Sequence, residues 1–195
     1  MTRHFAVTWD YRCPFARNAH EAVISGLAAG KDWDVRFWPF SLDQVHGEEG
    51  ATPVWERDLD EAGTGVRPLL WGIAVRDAFP EHFFDFHIGV FHARFDEGQK
   101  IVKEEVLRGV AEKVGLDPDV VAAEVASGRP AKTLEAEHTE AAERFAAFGV
   151  PTFVDGEEAA FVRIMERGNV ADLERVLDLI GFTRLNEFKR TRIPR

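Results

Sequence analysis

At 195 residues, 45% of them hydrophobic, the chain can bury a core of its own in one domain, or in one domain with an insertion. Its 34 acidic and 24 basic residues leave a net charge of −10, which argues against nucleic acid as a main partner. The single cysteine excludes an internal disulfide and fits a reducing compartment. The opening MTRHFAVTWD has no apolar run of signal-peptide length and no later stretch is apolar enough to span a bilayer, so a soluble, cytoplasmic protein with no membrane partner is expected.

Residues 4–10, HFAVTWD, are rich in aromatic and β-branched side chains, which predicts a strand. From Pro14 onward Phe15, Ala19, Ala22, Val23 and Leu27 recur at helical spacing, proline suits the first helical position, and Gly30 ends the helix. Residues 33–40, WDVRFWPF, read as a second strand, with Val35, Phe37 and Pro39 on one face and Arg36 and Trp38 on the other. No strand pattern appears from Ser41 to Gly149. Helical periodicity marks 66–79, 82–95 and 101–114, the last closed by Gly115. Asp117 followed by Pro118 opens another helix to Ser127, and a further one covers 131–148. So long a tract exceeds any single crossover helix, which predicts a helical subdomain, 41–149, inserted into a unit made of 1–40 and 150–195. Next come the strands VPTFV (150–154) and AAFVRI (159–164) around the hairpin signal Asp155-Gly156, then an amphipathic helix over 170–180. The fold class is α/β, in the order β-α-β, helices, β-β-α.

Cys13 stands where the first strand gives way to the first helix, in WDYRCPFARNAH (9–20). The free N–H groups and positive end of a helix stabilise a thiolate, so the position suits a nucleophile held below the usual thiol pKa of roughly 8.5. Arg12 and Arg17 would add positive potential. The competing reading is an inert, buried small residue. Pro14 lacks an N–H but fixes φ at the helix entry. Tyr11 and Phe15 offer aromatic faces to an apolar or electron-poor substrate, while Trp9 reads as core and Asp10 as a loop acceptor.

In PEHFFDFHIGVFHARF (80–95) the histidines at 82, 87 and 92 are five apart, which fans them around a helix and lacks metal-ligand spacing. No metal is expected there. Phe83, Phe84, Phe86 and Phe91 would pack the helical layer, with the histidines toward solvent; alternatively some of these rings line a groove over Cys13. His138, among Glu135, Glu137 and Glu140, is expected at the surface. No glycine-rich strand–helix loop indicates a nucleotide site.

The element order resembles the thioredoxin fold, carried by Asp10, Cys13 and Pro14 in the first loop and Gly149, Val150, Pro151 and Thr152 in the second. The helical insertion makes it similar to the DsbA-like branch. The runs FVRIMERG (161–168) and NEFKRTR (186–192) resemble those of actinobacterial DsbA-like proteins that work with mycothiol. Kappa-class glutathione transferases and 2-hydroxychromene-2-carboxylate isomerases share the architecture, but usually carry Ser at the position of Cys13 and a Ser-Asp pair at the start of the last helix. Here that region reads Arg167-Gly168-Asn169-Val170-Ala171-Asp172, without the pair. The resemblance implies a cis Pro151 against the nucleophile, with the backbone of Val150 pairing a peptide or peptide-like thiol, and Thr152 beside it. The basic tail, Arg184, Lys189, Arg190, Arg192 and Arg195, is read as a solvated end or, by the same likeness, as a segment closing over the site.

Ala16 occupies the position where a second cysteine would complete C-x-x-C, and alanine cannot resolve a mixed disulfide. Three outcomes stay open. A small thiol, mycothiol or glutathione, attacks a Cys13 mixed disulfide; or Cys13 hosts the thiol, whose own sulfur attacks an electrophile; or catalysis is lost and a peptide- or thiol-binding protein remains. The expected partner is a thiol-containing or electrophilic small molecule, with the thiol as cosubstrate and no tightly bound cofactor. Homodimers would fit the wider family.

Overall fold

The computed structural model describes residues 1–185, 187 and 188. β1 (Arg3–Trp9) is one of the two inner strands of the sheet, and every residue from Phe5 to Trp9 is buried. It pairs in parallel with β2 (Trp33–Pro39), in a register that sets Arg3 opposite Trp33 and Trp9 opposite Pro39. A parallel pair needs a crossover, which α1 (Pro14–Ala28) supplies. The buried side of α1 is built from small residues, among them Ala16, Ala19, Ala22 and Gly26. The approach is so close at Gly26 that a Cβ there would stand 2.0 Å from the Trp33 ring.

Between β2 and β3 the chain is helical, as its periodicity predicts. The helices are α2 (Leu42–Val45), α3 (Val66–Ala78), α4 (Phe83–Phe95), α5 (Glu104–Lys113), α6 (Pro118–Ala126) and α7 (Arg129–Phe145), with 3₁₀ turns at Val54–Glu56 and Pro80–His82. The short α2 had no readable periodicity; the Ser41 side chain caps it by accepting the Gln44 N–H. The alternation of β2 divides these helices between the two faces of the sheet. Phe37 meets Phe83 and Phe84 of α4, whereas Trp38 turns to α7, where its Nε1–H donates to the Glu137 carbonyl at 2.7 Å. Arg76 of α3 joins strand and helices by donating to the Phe37 carbonyl and to Glu137, each at 2.7 Å.

β3 (Thr152–Asp155) pairs antiparallel with β1 and with β4 (Glu158–Phe161), giving the order β2-β1-β3-β4. The hairpin turn falls one residue later than Asp155-Gly156 predicts, because Asp155 pairs with Glu158. This places Gly156 first in the loop, where its φ of +63° needs glycine. α8 (Val170–Ile180) closes the fold against α1 and β3, and its N-cap is Asn169, which accepts the Asp172 N–H at 3.0 Å. One continuous core cluster joins the sheet to the helices of the insertion.

Candidate active site

The loop between β1 and α1 is shaped by Asp10. Its carboxylate accepts the Arg12 N–H and the Leu42 N–H, both at 2.9 Å, and its carbonyl accepts the Cys13 N–H at 3.1 Å. Arg12 reaches Asp43 of α2 at 2.7 Å, and Asp43 in turn accepts the Gly65 N–H at the start of α3. Burial pushes the Asp10 carboxyl up against the opposing pull of the Arg12 charge and the two N–H donors. Asp10 is therefore the loop acceptor its position predicts.

Cys13 is the N-cap of α1, partly exposed, with Pro14 in the first turn. Its Sγ–H donates to the Val150 carbonyl at 3.2 Å, and the Val150–Pro151 peptide is cis. Two bonds fix this second loop: the Thr152 hydroxyl donates to the Gly149 carbonyl, and the Thr152 N–H donates to Thr8 Oγ1, both at 2.8 Å. Cysteine and cis-proline loops, 138 positions apart in the chain, thus meet at the sulfur.

The electrostatics differ from the expectation of a depressed thiol pKa. Burial, the largest influence, pushes the Cys13 thiol up; the N–H groups of Ala16 and Phe15 oppose it, the charge of Asp10 adds to it, and the charge of Arg163 opposes it. The bond to the Val150 carbonyl further favours the protonated form, since a carbonyl accepts from a thiol and repels a thiolate. Arg12 and Arg17 do not supply the positive potential: Asp10 and Asp43 hold the first, and Asp96 holds the second at 2.9 Å. The cation acting on the sulfur is Arg163, whose guanidinium stacks on Phe15 and Phe161.

Of the other residues read as site residues, Pro14 is exposed and Phe15 half-buried beside Cys13, while Val150 presents its carbonyl to the sulfur. Thr152 is buried and serves the loop. Tyr11 has no exposed surface, so it offers no face to a substrate. Its hydroxyl lies 2.7 Å from His87 Nδ1, His87 Nε2 lies 3.0 Å from His20 Nδ1, and His20 Nε2 lies 3.2 Å from the Thr8 carbonyl. The tautomers follow from that carbonyl, which can only accept. His20 donates to Thr8 through Nε2, His87 donates to His20, and Tyr11 donates to His87, leaving both rings neutral and every polar atom paired. Burial holds His20 at about 4 and drives His87 well below its ordinary value.

The histidines expected near solvent therefore divide. His92 is exposed and His82 half-buried, but His87 is wholly enclosed by Trp9, Phe83 and Phe91. His138 is also buried, its ring 4.3 Å from Phe40 and its Nδ1 accepting the Ser41 N–H, because α7 turns that face inward onto the end of β2. Of the basic tail only Arg184 is described, exposed and stacked on Phe182; Lys189, Arg190, Arg192 and Arg195, and most of the NEFKRTR run, lie outside the described residues.

A parallel β-α-β unit joined to an antiparallel hairpin, with a helix-capping cysteine against a cis-proline loop, defines a thioredoxin fold, and the helices between β2 and β3 give it the DsbA-like form of that fold. Residues 85–177 match the DSBA-like thioredoxin domain. The chain thus has a thioredoxin fold of the DsbA-like form, and the match to that domain covers a little under half of its length. A 2-hydroxychromene-2-carboxylate isomerase superposes with a TM-score of 0.65 at 20% identity, covering 93% of this chain and 97% of that one. The cytosolic disulfide reductase DsbM from Pseudomonas aeruginosa, solved with GSH, gives 0.64 at 18%, covering 93% and 100%. BdbD from Bacillus subtilis gives 0.63 at 16%, covering 92% and 84%. The uncharacterized protein YwbO of Bacillus subtilis (strain 168) is 28% identical over 146 residues, 60% of this chain and 68% of that one. At these identities the structural likeness is one of fold. Among the described residues no helix is long and apolar enough to cross a membrane.

Proposed function

We propose that the protein is a monothiol thiol–disulfide oxidoreductase or thiol transferase of a reducing, cytoplasmic compartment, with a low-molecular-weight thiol, glutathione or mycothiol, as cosubstrate. The carrying observation is the Cys13 sulfur, part-exposed at a helix start and 3.2 Å from the Val150 carbonyl. In the exchange, the Cys13 thiolate attacks a disulfide RS–SR. The Cys13–SR bond forms, the RS–SR bond breaks, and one RS⁻ leaves; Cys13 is oxidised as that sulfur is reduced. Ala16 is fully buried in the core and has no sulfur, so a second small thiolate attacks the mixed disulfide, releasing Cys13 and carrying away the disulfide.

The S–H donated to Val150 and the raised thiol pKa favour a second reading. A protonated Cys13 holds an incoming thiol by hydrogen bonding, and that thiol's own sulfur attacks an electrophile. Cys13→Ser and Cys13→Ala separate the two readings when turnover is measured with disulfide and electrophile panels. An exchanger loses activity in both variants, whereas a host keeps it in Ser and loses it in Ala. Full activity in Ala removes Cys13 from either role, and ligand binding without turnover in the wild type leaves a binding protein.

A further inference from the structure

We propose that Arg163 is the carboxylate-binding residue of the Cys13 site, selecting small thiols and disulfides that carry a carboxylate. This rests on the reading of Cys13 above and narrows its substrate class, favouring glutathione over mycothiol, which carries no carboxylate.

The guanidinium carbon lies 5.2 Å from the Phe15 ring centre and 5.3 Å from that of Phe161, and Phe161 lies 5.0 Å from Phe148. This row runs from Phe15, two residues after Cys13 in the first turn of α1, to Phe148, two residues before the Val150 whose carbonyl meets the sulfur, so it joins the two loops that form the candidate site. Rings against a guanidinium cover its faces and leave its edge, where its N–H donors lie, for a planar acceptor. A carboxylate is the acceptor that matches this fork in both shape and charge. Arg12 and Arg17, nearer to Cys13 in sequence, are already closed by Asp10 and Asp43 and by Asp96. Arg163 is exposed and, among the described residues, has rings rather than carboxylates as neighbours. A net charge of −10 repels anions generally, so an anionic substrate needs a local cation beside the sulfur, and Arg163 supplies it. Phe148 and Met165, 64% and 48% exposed, add apolar surface for the carbon chain between carboxylate and sulfur.

The test compares Cys13 exchange with two small disulfides, anionic 3,3′-dithiodipropionate and neutral 2-hydroxyethyl disulfide, in the wild type, Arg163→Gln and Arg163→Lys. Removing the charge slows both reactions through the thiol pKa, and the ratio of the two rates cancels that effect. The anionic-to-neutral ratio should fall about threefold to tenfold in Arg163→Gln and recover in part in Arg163→Lys. In parallel, S-methylglutathione, which has carboxylates and no reactive thiol, is titrated calorimetrically into the wild type and Arg163→Gln, with weaker binding expected in the variant. Where exchange occurs, the ratio decides, and one unchanged in Arg163→Gln overturns the assignment while leaving the exchange chemistry standing. Where Cys13 is inert to both disulfides, the titration decides. Binding that depends on Arg163 then sustains the assignment without the chemistry, and no binding, or equal binding, overturns it.

Discussion

Acid should weaken this fold through its buried histidines, and His138 is the cleanest place to see it. Its Nδ1 accepts the Ser41 N–H at 3.1 Å and its ring lies flat on Phe40, so a proton at Nδ1 would displace the hydrogen bond and place a charge among apolar rings. Burial accordingly lowers its pKa from 6.5 to about 4. The unfolded chain takes up this proton below about pH 6.5 and the folded chain only near 4, so the stability due to neutral His138 is complete above 6.5 and lost as pH falls toward 4. At about pH 4.5 the loss amounts to about 2–3 kcal/mol, and His20, also held at about 4, adds a similar loss. Against a total of about 5–15 kcal/mol, the two together approach unfolding. Asp10, whose carboxyl is raised, acts in the opposite sense and gains stability as the pH falls, so a single pH curve would mix the two. Urea unfolding of the wild type and His138→Gln, followed by tryptophan fluorescence, separates them. The stability gap between wild type and variant should shrink by about 2–3 kcal/mol from about pH 7 to about pH 4.5. A gap that stays constant over that range would refute the reasoning.

Three further outcomes are expected. Tyr11→Phe leaves His87 Nδ1 without its donor and should cost about 1–3 kcal/mol in chemical denaturation; a neutral result would mean the hydroxyl bond carries no weight. Gly72→Ala in α3 would ordinarily gain about 1 kcal/mol of helix propensity. Here the new Cβ would stand 2.4 Å from the Tyr11 hydroxyl, so a net loss of about 1–3 kcal/mol is expected, smaller in a Tyr11→Phe background, and additive costs would contradict the contact. The rate of Cys13 alkylation against pH, read by intact mass, should inflect above the ordinary thiol value of roughly 8.5, because burial outweighs the helix N–H groups; an inflection near neutrality would show the reverse.

Periodicity and punctuation made most of the fold readable. α8 matches its predicted span, and β1, β2 and α1 fall within a residue or two of theirs, because alternation, Pro14 and Gly30 are local signals. The single cysteine and the Val-Pro-Thr run marked the two loops that meet at the sulfur. Its electrostatics were not readable, since they depend on which charges fold brings together. Arg12 and Arg17 are near Cys13 in sequence but neutralised in space, and Arg163, 150 positions away, is the effective cation. His20 carried a faint signal, for Ala16, His20 and Val23 form one stripe of α1, and the five-residue spacing of His82, His87 and His92 implied that they face different ways. Nothing local indicated that His87 would be the enclosed member, because its partners come from β1 and α1. His138 was misread because a helix rich in Glu looks solvated until its neighbours are known.

The residues that shape the cysteine loop find several of their partners in the helical insertion: Asp10 on the N–H of Leu42, Arg12 on Asp43, Tyr11 on His87 and against Gly72, Arg17 on Asp96. The sheet and α1 therefore do not form a portable module to which any helical cap can be fitted. Loop and cap make up one inherited unit, in which a change at position 11 or 12 needs an answering change some thirty to eighty residues away. Grafting this cap onto another thioredoxin core, or this loop under another cap, would leave a buried carboxylate and a buried tyrosine without their counterparts.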